Sequence, residues 1–177
     1  MKKDLENYAE IILFECLKLK KEEPLFIQAP LERYDFVRIV CNKAYEYGIK
    51  DIHLRLIDEY IKHDKLKNLS YEELIKDDYF RANKLSEYAS KHAAVLSLVA
   101  EYPGLMDDVD PKKTNAISKL MAEDAKTYYD MVNKNELAWC IAAVPSNDWA
   151  NKMFNNEVDA LDKLWKIILD MCLITTK

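Results

Sequence analysis

Ala93-Ala94-Val95-Leu96-Ser97-Leu98-Val99-Ala100 is the stretch on which the reading of this chain turns. It is apolar at nearly every position and lacks the polar alternation of a strand with one wet face. Such a run suits a central strand of a parallel sheet, with helices over both faces. Three further segments have strand character. Leu25-Phe26-Ile27-Gln28-Ala29 is ended by Pro30, Asp51 to Ile57 forms a second, and Leu137 to Val144 is closed by Pro145.

Helical spacing fills the intervals. Leu5, Tyr8, Ala9, Ile12, Cys16 and Leu19 form one stripe; Phe36, Val37, Val40, Cys41 and Ala44 form another, stopping near Gly48, where a helix end needs a left-handed residue. Residues 68–92 read as helix in two pieces: Ser70 and Glu73 match a capping box, and Leu85, Tyr88, Ala89 and His92 continue the stripe. Asp110-Pro111 reads as N-cap and first-turn proline of a helix burying Ile117, Leu120, Met121, Ala125 and Tyr128. A last helix runs from about Asp159 to Ile174. The alternation predicts a single three-layer α/β domain over residues 1–177, with a mostly parallel sheet of about four or five strands flanked by helices.

Composition excludes several functions. The net charge is -5, and the one basic cluster, Lys18, Lys20 and Lys21, is followed by Glu22 and Glu23. Without a basic stripe, no nucleic-acid partner is expected. No apolar run is long enough to span a bilayer, and acids follow Lys2-Lys3 where a signal peptide would turn apolar. The expectation is a cytoplasmic protein without a membrane partner.

Gly48 and Gly104 stand in unrelated loops, which excludes dinucleotide and P-loop cradles. Cys16, Cys41, Cys140 and Cys172 are scattered in apolar segments without zinc-site pairing, and are expected as buried free thiols. His53, between Ile52 and Leu54, reads as a hydrogen-bonded structural histidine, His92 as a helix-end residue and His63 as part of a charged surface turn. Asp107-Asp108-Val109-Asp110 lacks the glycine and glutamate of a calcium loop and is read as helix capping. Ser97 lies mid-strand, and no nucleophile elbow is present. The carboxyl ends of the strands carry Gln28, Asp58 with Glu59, Glu101 and Ser146. These read as loop caps, yet that edge is where an open parallel sheet meets ligands. No residue is assigned a catalytic, cofactor-binding or metal-binding role.

The final helix is apolar beyond one face. Leu161, Leu164, Trp165, Ile168 and Cys172 form its stripe, and Ile167, Met171 and Ile174 widen it. A surface helix shows a narrower arc, so this one is either buried on two sides or docks a flank on something else.

Trp139-Cys140-Ile141-Ala142-Ala143-Val144-Pro145-Ser146-Asn147-Asp148-Trp149-Ala150-Asn151-Lys152-Met153-Phe154, followed by Asp159-Ala160-Leu161-Asp162-Lys163-Leu164-Trp165, resembles the N-terminal half of the thermophilic-type metallo-aminopeptidases. Leu25 to Pro30, Ala44 to His53 and Val109-Asp110-Pro111 agree with that resemblance. It implies a two-domain enzyme that removes N-terminal residues from peptides with a pair of divalent metals, zinc, cobalt or similar. It also implies that the metal ligands belong to a C-terminal catalytic domain absent from this sequence. The implied partners are that domain, a peptide substrate and a second copy in a homodimer. Two readings stay open: a non-catalytic N-terminal domain of such an enzyme, or a free-standing α/β module that binds a small ligand or a partner.

Overall fold

A computed structural model describes residues 1–174. Four strands, β1 (Leu25–Pro30), β2 (Ile52–Ile57), β3 (Ala94–Val99) and β4 (Trp139–Ala143), form one sheet in the order β2-β1-β3-β4, every pairing parallel. The apolar run at residues 93–100 therefore supplies an inner strand, and Ala94 to Leu98 are buried without a break.

Side chains alternate across the sheet, and each face has its own cover. On one face Leu25, Ile27, Leu96, Leu98 and Ala142 pack with α1 (Lys2–Glu10), α2 (Tyr34–Tyr47), α8 (Asn147–Met153) and α9 (Ala160–Met171). On the other, Phe26 and Val95 pack with Leu85, Tyr88 and Ala89 of α5 (Asn83–Ser90) and Tyr128 of α7 (Lys126–Asn133). A smaller cluster of Leu66, Leu74, Phe80, Val109 and Ile117 joins α3 (Glu59–Asn68), α4 (Tyr71–Leu74) and α6 (Pro111–Asp124). The three layers expected from the alternation of elements are present.

The terminators behave as their chemistry requires. Gly48, at φ +107°, ends α2, and its N–H reaches the carbonyls of Ala44 (3.2 Å) and Tyr45 (3.0 Å). Ser70 and Glu73 form the reciprocal capping box of α4. Asp110 accepts from the Lys112 N–H at 2.9 Å at the start of α6.

Five features differ from the sequence reading. The first helix widens into a π-helical turn at Ile11–Cys16, with the Leu17 N–H bonded to the Ile12 carbonyl at 3.0 Å. The wider turn rotates later side chains off the 3.6-residue stripe, so Cys16 is exposed while Leu17 is buried. Cys172 is exposed beyond α9, and Cys41 and Cys140 are half-buried; all four thiols are free, but the burial expected for them is not found. The helix containing residues 111–128 breaks at Ala125, and α8 lies where no helix was read.

Lastly, His63 sits within α3 rather than in a turn. The apolar spacing of this helix is faint, Leu66 being its one buried residue. Its ends are held instead. Asp58 accepts from the N–H groups of Tyr60 (3.0 Å) and Ile61 (3.1 Å), and the distant Lys113 ammonium donates to the Leu66 (3.1 Å) and Leu69 (2.6 Å) carbonyls. Asp108 ties α3 to the loop before α6, accepting from His63 at 2.7 Å and from Lys67 at 2.6 Å.

The final helix is a divided case. Leu164, Trp165, Ile168 and Leu169 are buried, with the Trp165 ring 5.3 Å from that of Phe36. Of the widening flank, Ile174 is buried at 6% exposure, whereas Ile167 (38%) and Met171 (79%) face outward.

Two measurements check this architecture. Leu96 is fully buried in an inner strand, so Leu96→Ala is expected to cost about 2–5 kcal/mol in urea unfolding, the range for a large core truncation; a change within error would contradict the double cover. Hydrogen bonds donated to Asp108, then to Asp64, raise the His63 pKa above 6.5. The Lys67 hydrogen bond, then that of His63, lowers Asp108 to about 2. The raised histidine favours folding below about pH 6.5 and loses that contribution as pH rises through its folded pKa. The lowered aspartate contributes above about pH 4 and loses its contribution as pH falls toward 2. An NMR titration of His63 is expected to have its midpoint above 6.5, and Asp108→Asn is expected to lower it. An unmoved midpoint would disprove the pairing.

Candidate functional site

Strand register brings three polar side chains into one row on the α5–α7 face of the sheet. Gln28 of β1 lies opposite Arg55 of β2 and Ser97 of β3. Arg55 Nη1 donates to Gln28 Oε1 at 3.3 Å, and Gln28 Nε2 donates to Ser97 Oγ at 3.1 Å. Arg55 Nη2 donates to the Arg81 carbonyl at 3.2 Å. Burial depresses the Arg55 pKa from its ordinary value, and nearby Tyr79 and Glu59 oppose that effect.

The row borders a cavity of about 610 Å³, walled by Leu66, Leu85, Met106, Val109, Ile117 and Met121. Gln28 was legible as a candidate from its strand. Arg55 was not singled out, although its signal is simple: it stands two residues after His53 in an apolar strand, so both face the same covered side.

The other strand-end residues chiefly secure the backbone. Asp58 caps α3, and Glu59 pairs with Lys62 at 2.8 Å. Ser146 is buried, accepts from the Trp149 N–H at 2.9 Å and donates to the Glu101 carbonyl.

The sheet order reverses between β1 and β3, and the crevice beyond that point is the usual ligand position in such folds. Here it is edged by acids and tyrosines. Glu32 accepts from the Asn147 backbone N–H (3.3 Å) and side-chain amide (3.1 Å), and Tyr60 donates to Asp148 at 2.9 Å. Burial, followed by Asp148, pushes the Tyr60 hydroxyl up to about 12, and burial with Glu32 raises Tyr102. One buried oxygen of Glu32, Oε1, has no hydrogen-bond partner among the described residues.

The histidines are engaged elsewhere. His53 lies between Asp51 (2.5 Å) and the Tyr88 hydroxyl (2.8 Å), as a hydrogen-bonded histidine. The His92 backbone N–H closes α5 on the Ala89 carbonyl at 2.8 Å. Of the acids at 107–110, Asp110 caps α6 and Asp108 joins His63 with Lys67. Among the described residues, no group of three or more His, Cys, Asp or Glu side chains is placed to hold a metal ion.

The chain as a whole is similar to known proteins. The chain is 32% identical over 168 residues to Aminopeptidase 2 of Geobacillus stearothermophilus, covering 94% of this chain and 41% of that protein. It is 26% identical to Aminopeptidase AmpS of Bacillus subtilis, covering 93% of this chain and 40% of that one. The solved structure of wild-type AmpT from Thermus thermophilus superposes with a TM-score of 0.85 at 25% identity, covering 95% of this chain and 43% of the other. The chain thus spans about two fifths of the length of the relatives it matches. The family model described as Thermophilic metalloprotease (M29) matches residues 1–177, and the chain belongs to that family.

Proposed function

We propose that this chain is the N-terminal, non-catalytic domain of a two-domain, metal-dependent aminopeptidase that releases N-terminal amino acids from peptides. One observation carries the reading: a family match over residues 1–177 accompanies coverage of only about two fifths of the relatives' length. The divalent ions, zinc, cobalt or similar, are then held by a C-terminal catalytic domain outside these residues.

The surface at β4 supports a docking role toward that domain. β4 ends the sheet, and an edge strand presents backbone groups open to further pairing. Trp139 (45% exposed) and Ile141 (59%) project from it. Beside it, Tyr8, Ile11, Cys140, Trp149, Ile167 and Met171 line an apolar cavity of about 450 Å³. Exposed apolar ground of this kind marks a contact surface. Its occupant in this reading is the remainder of the family's polypeptide, and the domain shapes the peptide chamber of a cytoplasmic homodimer. Among the described residues, no helix is long and apolar enough to cross a membrane.

A second reading, a free-standing α/β ligand-binding module, is favoured by the 610 Å³ cavity on the opposite face of the sheet. Activity and assembly separate the two. The purified 177-residue chain is expected to release no amine from an aminoacyl reporter with zinc or cobalt supplied; metal-dependent release would overturn the non-catalytic assignment. In sedimentation, the chain alone is expected to self-associate through the uncovered β4 surface, and Ile141→Lys with Met171→Lys is expected to return it to a monomer. A parent chain that is monomeric at every concentration would count against that surface as an interface.

A further inference from the structure

Arg55 feels Glu59 only at a distance and has no carboxylate in direct contact among the described residues. Among the described residues it makes no ion pair within 4.0 Å, and its hydrogen bonds go to the neutral oxygens of Gln28 and Arg81. Three acids of the surrounding segments are engaged by other cations. Asp124 holds Arg81 through two bonds, at 2.7 and 2.5 Å, Glu59 holds Lys62 at 2.8 Å, and Asp77 holds Lys65. A guanidinium cannot escape its environment by losing a proton. Removing it from water calls for an opposite charge or a full set of acceptors.

The cavity beside it extends the imbalance. Its lining includes two cations, Arg55 and Lys62, and no Asp or Glu, in a chain that has 31 acidic residues. Thr114, Ser118 and Tyr129 add hydroxyl groups, while the remaining wall is mainly aliphatic and methionine-lined. Small-molecule sites have this anatomy: an apolar chamber of roughly 300–1,000 Å³ with a few polar groups that set orientation.

We infer that this cavity is a binding site for an amphipathic carboxylate, with the acid group on Arg55 and the apolar body along Leu66, Met106, Ile117 and Met121. A planar guanidinium matches a carboxylate through paired hydrogen bonds. The free C-terminus of a short hydrophobic peptide and the head of a medium-chain fatty acid share this chemistry. The inference stands on the cavity alone and does not depend on the peptidase reading.

The test is a titration of the whole chain by ¹⁵N NMR, with N-acetyl-Leu-Phe and decanoate as carboxylate probes. N-acetyl-Leu-Phe-amide and decanol serve as uncharged controls. Saturable shifts are expected in amides of α3, α6 and the Gln28 region for at least one acid, with its uncharged partner weaker by about ten- to a hundredfold. Which acid binds more tightly identifies the source.

Arg55→Met is expected to weaken binding by a similar factor. Ala122→Trp supplies a control that leaves Arg55 intact: Ala122 lines the cavity yet is exposed, so the indole obstructs the chamber without entering the core. It is expected to abolish binding while circular dichroism and the melting temperature stay unchanged. No saturable shift with either acid at millimolar concentration, equal binding of acid and control, or unimpaired binding in Ala122→Trp would each overturn the site.

Discussion

Burial of the central sheet on both faces is the constraint from which the rest of this structure follows. A parallel sheet has crossover connections over its faces, so its inner strands must be apolar on both sides. β1 and β3 meet that demand, Leu25 and Leu96 on one face and Phe26 and Val95 on the other. Any polar atom admitted to such a strand must find a partner within the protein, because water does not reach it. Gln28 and Ser97 are the polar side chains of the inner strands, and they bond to each other.

That pairing links the core to the cavity. Once Gln28 Nε2 is directed at Ser97, its Oε1 is free to accept from Arg55, which brings a cation to the margin of the sheet. Asp124, Glu59 and Asp77 are held by Arg81, Lys62 and Lys65, and Arg55 lines the chamber without a carboxylate in direct contact. The opposite edge has a different character. At β4 the sheet stops with apolar side chains on the outside, and the half-exposed final helix continues that surface. One side of the domain is thus suited to a small ligand and the other to a large partner.

The legibility of the fold varied with the source of each element's stability. β3, α2 and the boundaries at Gly48, Ser70 and Asp110 are encoded locally, by apolar period or by a side chain bonding the nearest backbone. Helix α3 is different, because half of its support comes from Lys113, distant in sequence, and its own apolar stripe is nearly absent. The exposure of Cys16 likewise depends on a widened turn that a 3.6-residue pattern cannot anticipate. Among candidate site residues, Gln28 was visible from its strand, and Asp110 and Ser146 act as the caps they resembled. Arg55 went unnoticed, since one cation in an apolar strand has no meaning until its neighbours' partners are known.

By itself, then, the sequence determined the layered α/β class, the inner position of residues 93–100, the helix terminators and, through its tryptophan-rich segment, the aminopeptidase resemblance. These properties depend on composition, periodicity and near-neighbour bonding. Only the tertiary structure decided which acids each cation engaged, and that Ile174 turned inward while Met171 did not. Those outcomes depend on register and on contacts between residues far apart in the chain, where several pairings are chemically equivalent and the packing selects one.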